Sequence, residues 1–345
     1  MKDKKGMEVF HWILIMIVGA VILLFGVIFA GKSGGVEQQK QNVLVVEYLV
    51  MFFNPFTSVG AIADSFGKKV SLPYEIDAEL RCEGGKEFLF VGSGGKISSE
   101  KIENFVYTPS KIKARELFVL TKSFEIPFRV TDLIFTFDSG QKFCVIYDEQ
   151  DAGQADFVDQ LKGDIEGSLV DAQGNFAYCQ DIGCCRVAGS TRIISLNAQK
   201  GDVNLVPQGA DGEGFSFGEV TWAAQGAQGS GQGAASAGRK SVFVSSALAE
   251  AAIFSDYPLY SCNLRRLMSK TGSVSDIYSE KANYLGAIAQ PQVCNYNALR
   301  GDLQQIKTLA GSVGSAQSLS SARALNGAAQ EFETKNMELP CIQIY

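Results

Sequence analysis

Residues 9–30 read VFHWILIMIVGAVILLFGVIFA, and the architecture turns on this stretch. It contains no Asp, Glu, Lys or Arg. At about 1.5 Å per helical residue it spans roughly the 30 Å hydrocarbon thickness of a bilayer. A core helix seldom runs uncharged for so long, and a cleaved secretory signal has a shorter apolar region with a small residue where Ile28 stands. The stretch is read as a transmembrane helix in contact with membrane lipid. His11 and Trp12 lie at its start, where amphipathic rings suit the headgroup region. Lys2, Lys4 and Lys5 precede the span and only Lys32 follows closely, so the positive-inside rule makes residues 1–8 a cytoplasmic tail. Everything beyond the span is then extracytoplasmic.

The cysteines agree with that orientation. There are 8, all beyond the apolar stretch: Cys82, Cys144, Cys179, Cys184, Cys185, Cys262, Cys294 and Cys341. An even set in an oxidising compartment reads first as disulfides. The rival reading is metal, since Cys179, Cys184 and Cys185 cluster; no CxxC pair and no following His accompany them, so no metal or other cofactor is expected. Spacing does not determine connectivity. A local bridge from Cys179 to Cys184 or Cys185, and a clamp between Cys294 and Cys341, are the expected pairs.

Outward from the anchor, residues 31–68 form a linker and a helix. Gly31-Lys32-Ser33-Gly34-Gly35 is a flexible break. Val43, Val46, Val50 and Phe53 then recur at near-helical spacing, ending at Asn54-Pro55. Residues 69–206 change to short alternating runs and are read as a β-rich subdomain. Residues 87–91, 117–120 and 191–196 look like strands, and 133–137 with 143–147 look like a β-hairpin around Asp138-Ser139-Gly140. Residues 207–239 are dominated by Gly, Ala, Gln and Ser and are read as a mobile segment that cannot offset its ordering entropy. Phe215, Phe217 and Trp222 interrupt that composition. From residue 240 to 345 the pattern is helical. Val244, Leu248 and Ala251 share a face, Pro258 punctuates, and Leu264, Leu267 and Met268 open a second helix that extends towards Tyr278, Ala282 and Leu285. Leu299, Leu303, Ile306 and Val313 mark a third, and residues 316–333 a fourth. The expectation is an α+β chain: N-terminal transmembrane helix, β-rich subdomain and C-terminal antiparallel helical bundle.

Several function classes are excluded or weakened. The net charge is -6, a balance that repels phosphate backbones, so no nucleic-acid partner is expected. Gly26, Gly31, Lys32 and Ser33 satisfy the phosphate-loop formula, but half of it lies inside the apolar span and no nucleotide fold surrounds it. The single histidine, His11, belongs to the anchor, which removes histidine-based catalysis and His-ligated zinc from the outer region. Asp148, Glu149, Asp151, Asp156, Asp159, Asp164 and Glu166 form an acidic run without the spaced ligands of a calcium loop. No Asn-x-Ser/Thr sequon occurs.

Two stretches carry a resemblance: residues 114–134, ARELFVLTKSFEIPFRVTDLI, and residues 247–268, ALAEAAIFSDYPLYSCNLRRLM. With the N-terminal span and the cysteine placement, they resemble a family of uncharacterised archaeal single-pass membrane proteins, which implies a membrane location and no activity. Lys4-Lys5-Gly6 ahead of Met7 and a long apolar helix is similar to the processing site of type IV pilin-like proteins. There the helix first holds the precursor in the membrane and later packs into a filament. Glu8 lies closer to the glycine than that pattern places it, and the Gly31–Gly35 break interrupts the spine.

No catalytic residue is assigned. The expected function is that of a membrane-anchored structural or interaction protein of the cell envelope, with a protein or envelope partner. A minor pilin-like subunit is the alternative, and the competing class is an extracytoplasmic enzyme using carboxylates or Ser with Lys. A groove with two inward carboxylates of raised pKa would favour the enzyme, and a broad exposed apolar patch the binding module.

Overall fold

The computed structural model describes residues 43–50, 53, 65–93, 96–187, 192–197, 201–208, 216–223, 238–288 and 294–345. The apolar stretch at 9–30, with His11 and Trp12, lies outside them. Among the described residues no helix is long and apolar enough to cross a membrane. The fold is α+β, with a β-rich region and C-terminal helices.

Sheet A holds β1 (Ser65–Glu83), β2 (Lys86–Ser93), β3 (Lys96–Ile102), β4 (Phe105–Tyr107), β5 (Lys111–Glu125) and β6 (Arg129–Asp138), in the order β3-β2-β1-β5-β6-β4. All pairings are antiparallel except β4 with β6. Gly84 and Gly85 close the β1–β2 hairpin with φ of 58° and 75°, as a two-residue turn with both central residues left-handed requires. β1 has no counterpart among the strands expected from sequence. Its apolar alternation breaks between Ser71 and Ile76, where the register against β5 shifts. Pro73 sits in that irregularity, one of the few places a strand tolerates proline.

Residues 43–50 and 53 are helical (α1) and cover the outer face of sheet A. The buried stripe is Val45, Val46, Leu49, Val50 and Phe53, packed on Val70, Leu72, Ala78 and Val119. Val43, expected on that stripe, is instead exposed, as are Leu44 and Tyr48. The apolar residues at 44 and 45 allow either phase, and contact with the sheet selects the second.

Sheet B holds β7 (Phe143–Ile146), β8 (Phe176–Cys179), β9 (Arg192–Ser195), β10 (Val203–Pro207), β11 (Gly218–Trp222) and β12 (Arg239–Phe243), in the order β12-β11-β10-β9-β7-β8. β8, β7, β9 and β10 are mutually parallel, and β10, β11 and β12 antiparallel. The expected hairpin of 133–137 with 143–147 does not form. β6 pairs with β5 and β4 in sheet A, whereas β7 is an interior strand of sheet B. The reason lies in burial: β7 is buried at every residue, as suits a parallel strand covered on both faces rather than one arm of a surface hairpin.

β7 passes through α2 (Ala152–Ser168) and a 3₁₀ turn (Val170–Asn175) to β8, and β8 through α3 (Ile182–Val187) to β9. The two connections lie on opposite faces. Phe157, Val158, Leu161 and Ile165 of α2 share a core with Phe143 and Val145, whereas Cys185 of α3 packs with Cys144 and Ile146. A helix therefore stands inside the region expected to be β-rich. Strand content also continues past residue 206. β11 lies within the segment expected to be mobile, and its Trp222 and the preceding Phe217 are buried. Residues 209–215 and 224–237 of that segment lie outside the described residues.

α4 (Ser246–Phe254) is buried along most of its length between the two sheets. Ser245 caps it, accepting from the Leu248 amide at 3.2 Å. Phe254 stacks on Phe135 and Phe137 of sheet A and meets Phe143 and Phe176 of sheet B edge-on. α5 (Tyr257–Ile288) is 32 residues long, with Pro258 in its first turn, where a missing N–H costs little. α6 (Tyr296–Ala316) runs back along it, pairing Lys307 with Asp276, and α7 (Leu319–Glu338) reverses again, pairing Lys335 with Asp302. The chain then returns Ile344 into the core and packs Tyr345 against Phe128, Tyr278 and Phe332.

Candidate functional site

The parallel part of sheet B reverses its winding between β7 and β9, and the carboxyl ends of strands at such a switch are where ligands bind in open α/β sheets. The residues there are Tyr147 to Asp151 after β7, and Leu196 and Asn197 after β9. The acidic run begins at this edge, and two of its carboxylates, Asp148 and Asp151, are taken up by the backbone. Asp148 accepts from the Gln150 amide at 2.9 Å, and Asp151 caps α2, accepting from the Gln154 amide at 3.1 Å. Asp156 and Asp159 are carried on α2 and Asp164 turns to Lys122. Among the described residues the only group of three potential ligands within reach of one ion is a set of cysteines.

That set lies on the α3 face of the same edge. Cys144 sits in β7, Cys179 ends β8, and Cys184 and Cys185 are consecutive in α3. The bridges are Cys179–Cys184 and Cys144–Cys185. The Sγ atoms of Cys144, Cys179 and Cys185 lie within 4.8 Å of one another. Cys184 is exposed and the other three are buried. All four sulfurs are in disulfides, and a disulfide sulfur is not the thiolate that ligates a metal. The other two bridges are Cys82–Cys262, joining β1 to α5, and Cys294–Cys341, joining the start of α6 to the segment after α7. All eight cysteines expected to pair are thus bridged.

Two buried ionic seams were not legible from sequence, because each unites residues far apart in the chain. Lys122 of β5 reaches Asp164 of α2 at 2.6 Å and also Glu250 of α4. Burial raises the Glu250 pKa to about 7 against the pull of Lys122. Burial disfavours the Lys122 ammonium, but Glu250 and Asp164 outweigh it and its pKa is raised. In the second seam Glu87 of β2 pairs with Arg266 of α5 at 2.9 Å. Its pKa is pushed up to about 8, chiefly by burial, with Arg266 and Asn263 opposing. Asn263 donates to the Val106 carbonyl at 2.9 Å and Arg266 to the Glu103 carbonyl at 2.8 Å.

Raised carboxylates are thus present, but in separate seams, each fully buried and each facing a cation. A shallow groove of about 360 Å³ lined by Pro109, Lys111, Ile112, Lys113, Asp138, Gly140 and Gln141 contains neither. Each seam joins separate elements, β5 to α2 and α4 in the first and β2 to α5 in the second. Compared with protein-family models, curated proteins and solved structures, the chain matches none.

Proposed function

We propose that this chain is a membrane-anchored structural or interaction protein of the cell envelope. Residues 9–30 tether it in lipid, and the disulfide-braced α+β body is presented outside the cytoplasm to a protein or envelope component. The observation that carries this reading is the complete pairing of eight cysteines into four bridges, which belongs to an oxidising compartment. Cys82–Cys262 spans 180 residues of sequence, so the brace acts on the whole body rather than on one loop. Glu87 and Glu250 are spent on internal cations, which supports a bracing role for these carboxylates.

A minor pilin-like subunit is the second reading. Exposed Leu44 on α1 favours it, as an apolar side chain of the kind that helix packing in an assembly would bury. Protease added outside intact cells tests the first reading, and full protection of the region beyond Gly31 overturns it. Crosslinking in native membranes then identifies the partner. Intact-mass measurement separates the two readings: a dominant species starting at Met7 supports the pilin-like subunit, and one retaining Lys2 to Gly6 supports the permanent tether.

A further inference from the structure

The four cysteines at the α3 edge of sheet B do not behave geometrically as two independent staples. Cys179 is bonded to exposed Cys184, yet its sulfur also lies within 4.8 Å of both sulfurs of the buried Cys144–Cys185 bridge. Cys184 and Cys185 are neighbours in a helix of 6 residues, so one short element carries a sulfur of each bridge. Ile146, Ala177, Ile182 and Ile193 pack around the group and keep its inner part dry. We infer that these residues form a two-disulfide exchange centre, entered at Cys184 by an external dithiol of the thioredoxin-like or small-molecule class.

The chemistry balances without a further reagent. A thiolate of the external dithiol attacks Cys184 Sγ, forming a mixed disulfide and expelling Cys179 as a thiolate. The second thiol of the reagent attacks its own sulfur in that mixed disulfide and releases Cys184 as a thiol. The reagent leaves as a disulfide, having given up two electrons. Cys179 then attacks one sulfur of Cys144–Cys185, forming a new bridge to it and expelling the other, which takes up a proton. The protein ends with one bridge from Cys179 to Cys144 or Cys185, and two thiols. Because the attacked bridge is already beside Cys179, the internal step is intramolecular and needs no search. The electron pair accepted at the surface is thereby registered at the buried bridge. Cys82–Cys262 and Cys294–Cys341 have no such neighbour: neither contributes a sulfur to the group around Cys179.

The test uses the full-length oxidised protein and graded dithiothreitol, with rapid acid quenching, alkylation and fragment mass spectrometry. The expected two-thiol species carries label on Cys184 together with Cys144 or Cys185. Label on Cys184 and Cys179 shows simple opening of the outer bridge and overturns the inference. So does the simultaneous appearance of four labelled cysteines with no two-thiol species. Cys184→Ser provides a second check without any reductant. Its unpaired thiol is expected to be shared by exchange, with label on Cys144 or Cys185 as well as Cys179. Label confined to Cys179 overturns the exchange.

Discussion

Arg266 on α5 donates to Glu87 on β2 at 2.9 Å, and Glu87 is wholly removed from solvent. Beside this pair, Cys262 bonds to Cys82 and Asn263 donates to the Val106 carbonyl, so one stretch of α5 is fastened to sheet A by covalent, ionic and neutral contacts. A buried pair adds little net stability, but removing one partner strands the other. Above pH 8, where Glu87 is ionised, Arg266→Met is therefore expected to destabilise the fold by about 3 kcal/mol. Adding Glu87→Gln to it should recover part of that loss. Urea unfolding of the single and double variants is the measurement, and an Arg266→Met protein as stable as its parent would remove the seam from the energetics.

The two buried glutamates give stability a definite pH dependence. Both have ordinary values of 4.5, raised in the folded state to about 8 for Glu87 and about 7 for Glu250. The folded state holds these protons more tightly than the unfolded chain does. Their stabilisation is therefore full below 4.5 and is lost as pH rises through 7 and 8. Urea midpoints should fall across this window, and Glu250→Gln should flatten the part of the slope near neutrality. A midpoint that stays level over the same range, and is unmoved by Glu250→Gln, would count against raised carboxylates.

What was legible in sequence follows from how far each signal reaches along the chain. The helices after Ser245 could be read because Leu299, Leu303 and Ile306 repeat within single turns, and α6 buries those residues. The strands at Lys86–Ser93 and Arg129–Asp138 were legible for the same local reason. Their partners were not. Phe143 to Ile146 looks like the return arm of a hairpin, because a run of apolar residues after a turn does not say which sheet it joins. The long β1 was hidden by Pro73 and a break in its alternation, and β11 by the glycine-rich composition around it. At the cysteines, adjacency suggested Cys179 with Cys184 or Cys185. The part of Cys144 was not readable, since it comes from a parallel strand 41 residues from its partner Cys185.

The Cys294–Cys341 bridge should matter to one region more than to the whole. It closes a separation of 47 residues and pins the segment that returns Ile344 and Tyr345 to the core. Replacing both cysteines by Ala is expected to cost about 2–4 kcal/mol, largely through the freed unfolded chain. Hydrogen exchange should show faster opening around Asn336, which accepts from the Ile344 amide at 2.8 Å, than around Cys82–Cys262. Uniform acceleration over the molecule would contradict a local clamp.

Gly218 decides whether the strand inside the glycine-rich stretch is a true part of the core. It opens β11 opposite Pro207 of β10 and Phe243 of β12, so backbone approaches it from both sides. A Cβ added there would stand 2.3 Å from the Val206 carbonyl oxygen and 2.5 Å from the Phe243 ring. The ring could turn only by disturbing a fully buried side chain, and the carbonyl belongs to the strand ladder. Gly218→Ala is therefore expected to cost about 1–3 kcal/mol, as overpacking does, despite adding a single methyl group. In a mobile loop the same change would be neutral or slightly stabilising, because alanine restricts the unfolded chain. Gly167, in α2 with open space around its added Cβ, supplies the control. Gly167→Ala should leave the urea midpoint unchanged or raise it, and equal behaviour of the two variants would return residues 216–223 to the loop.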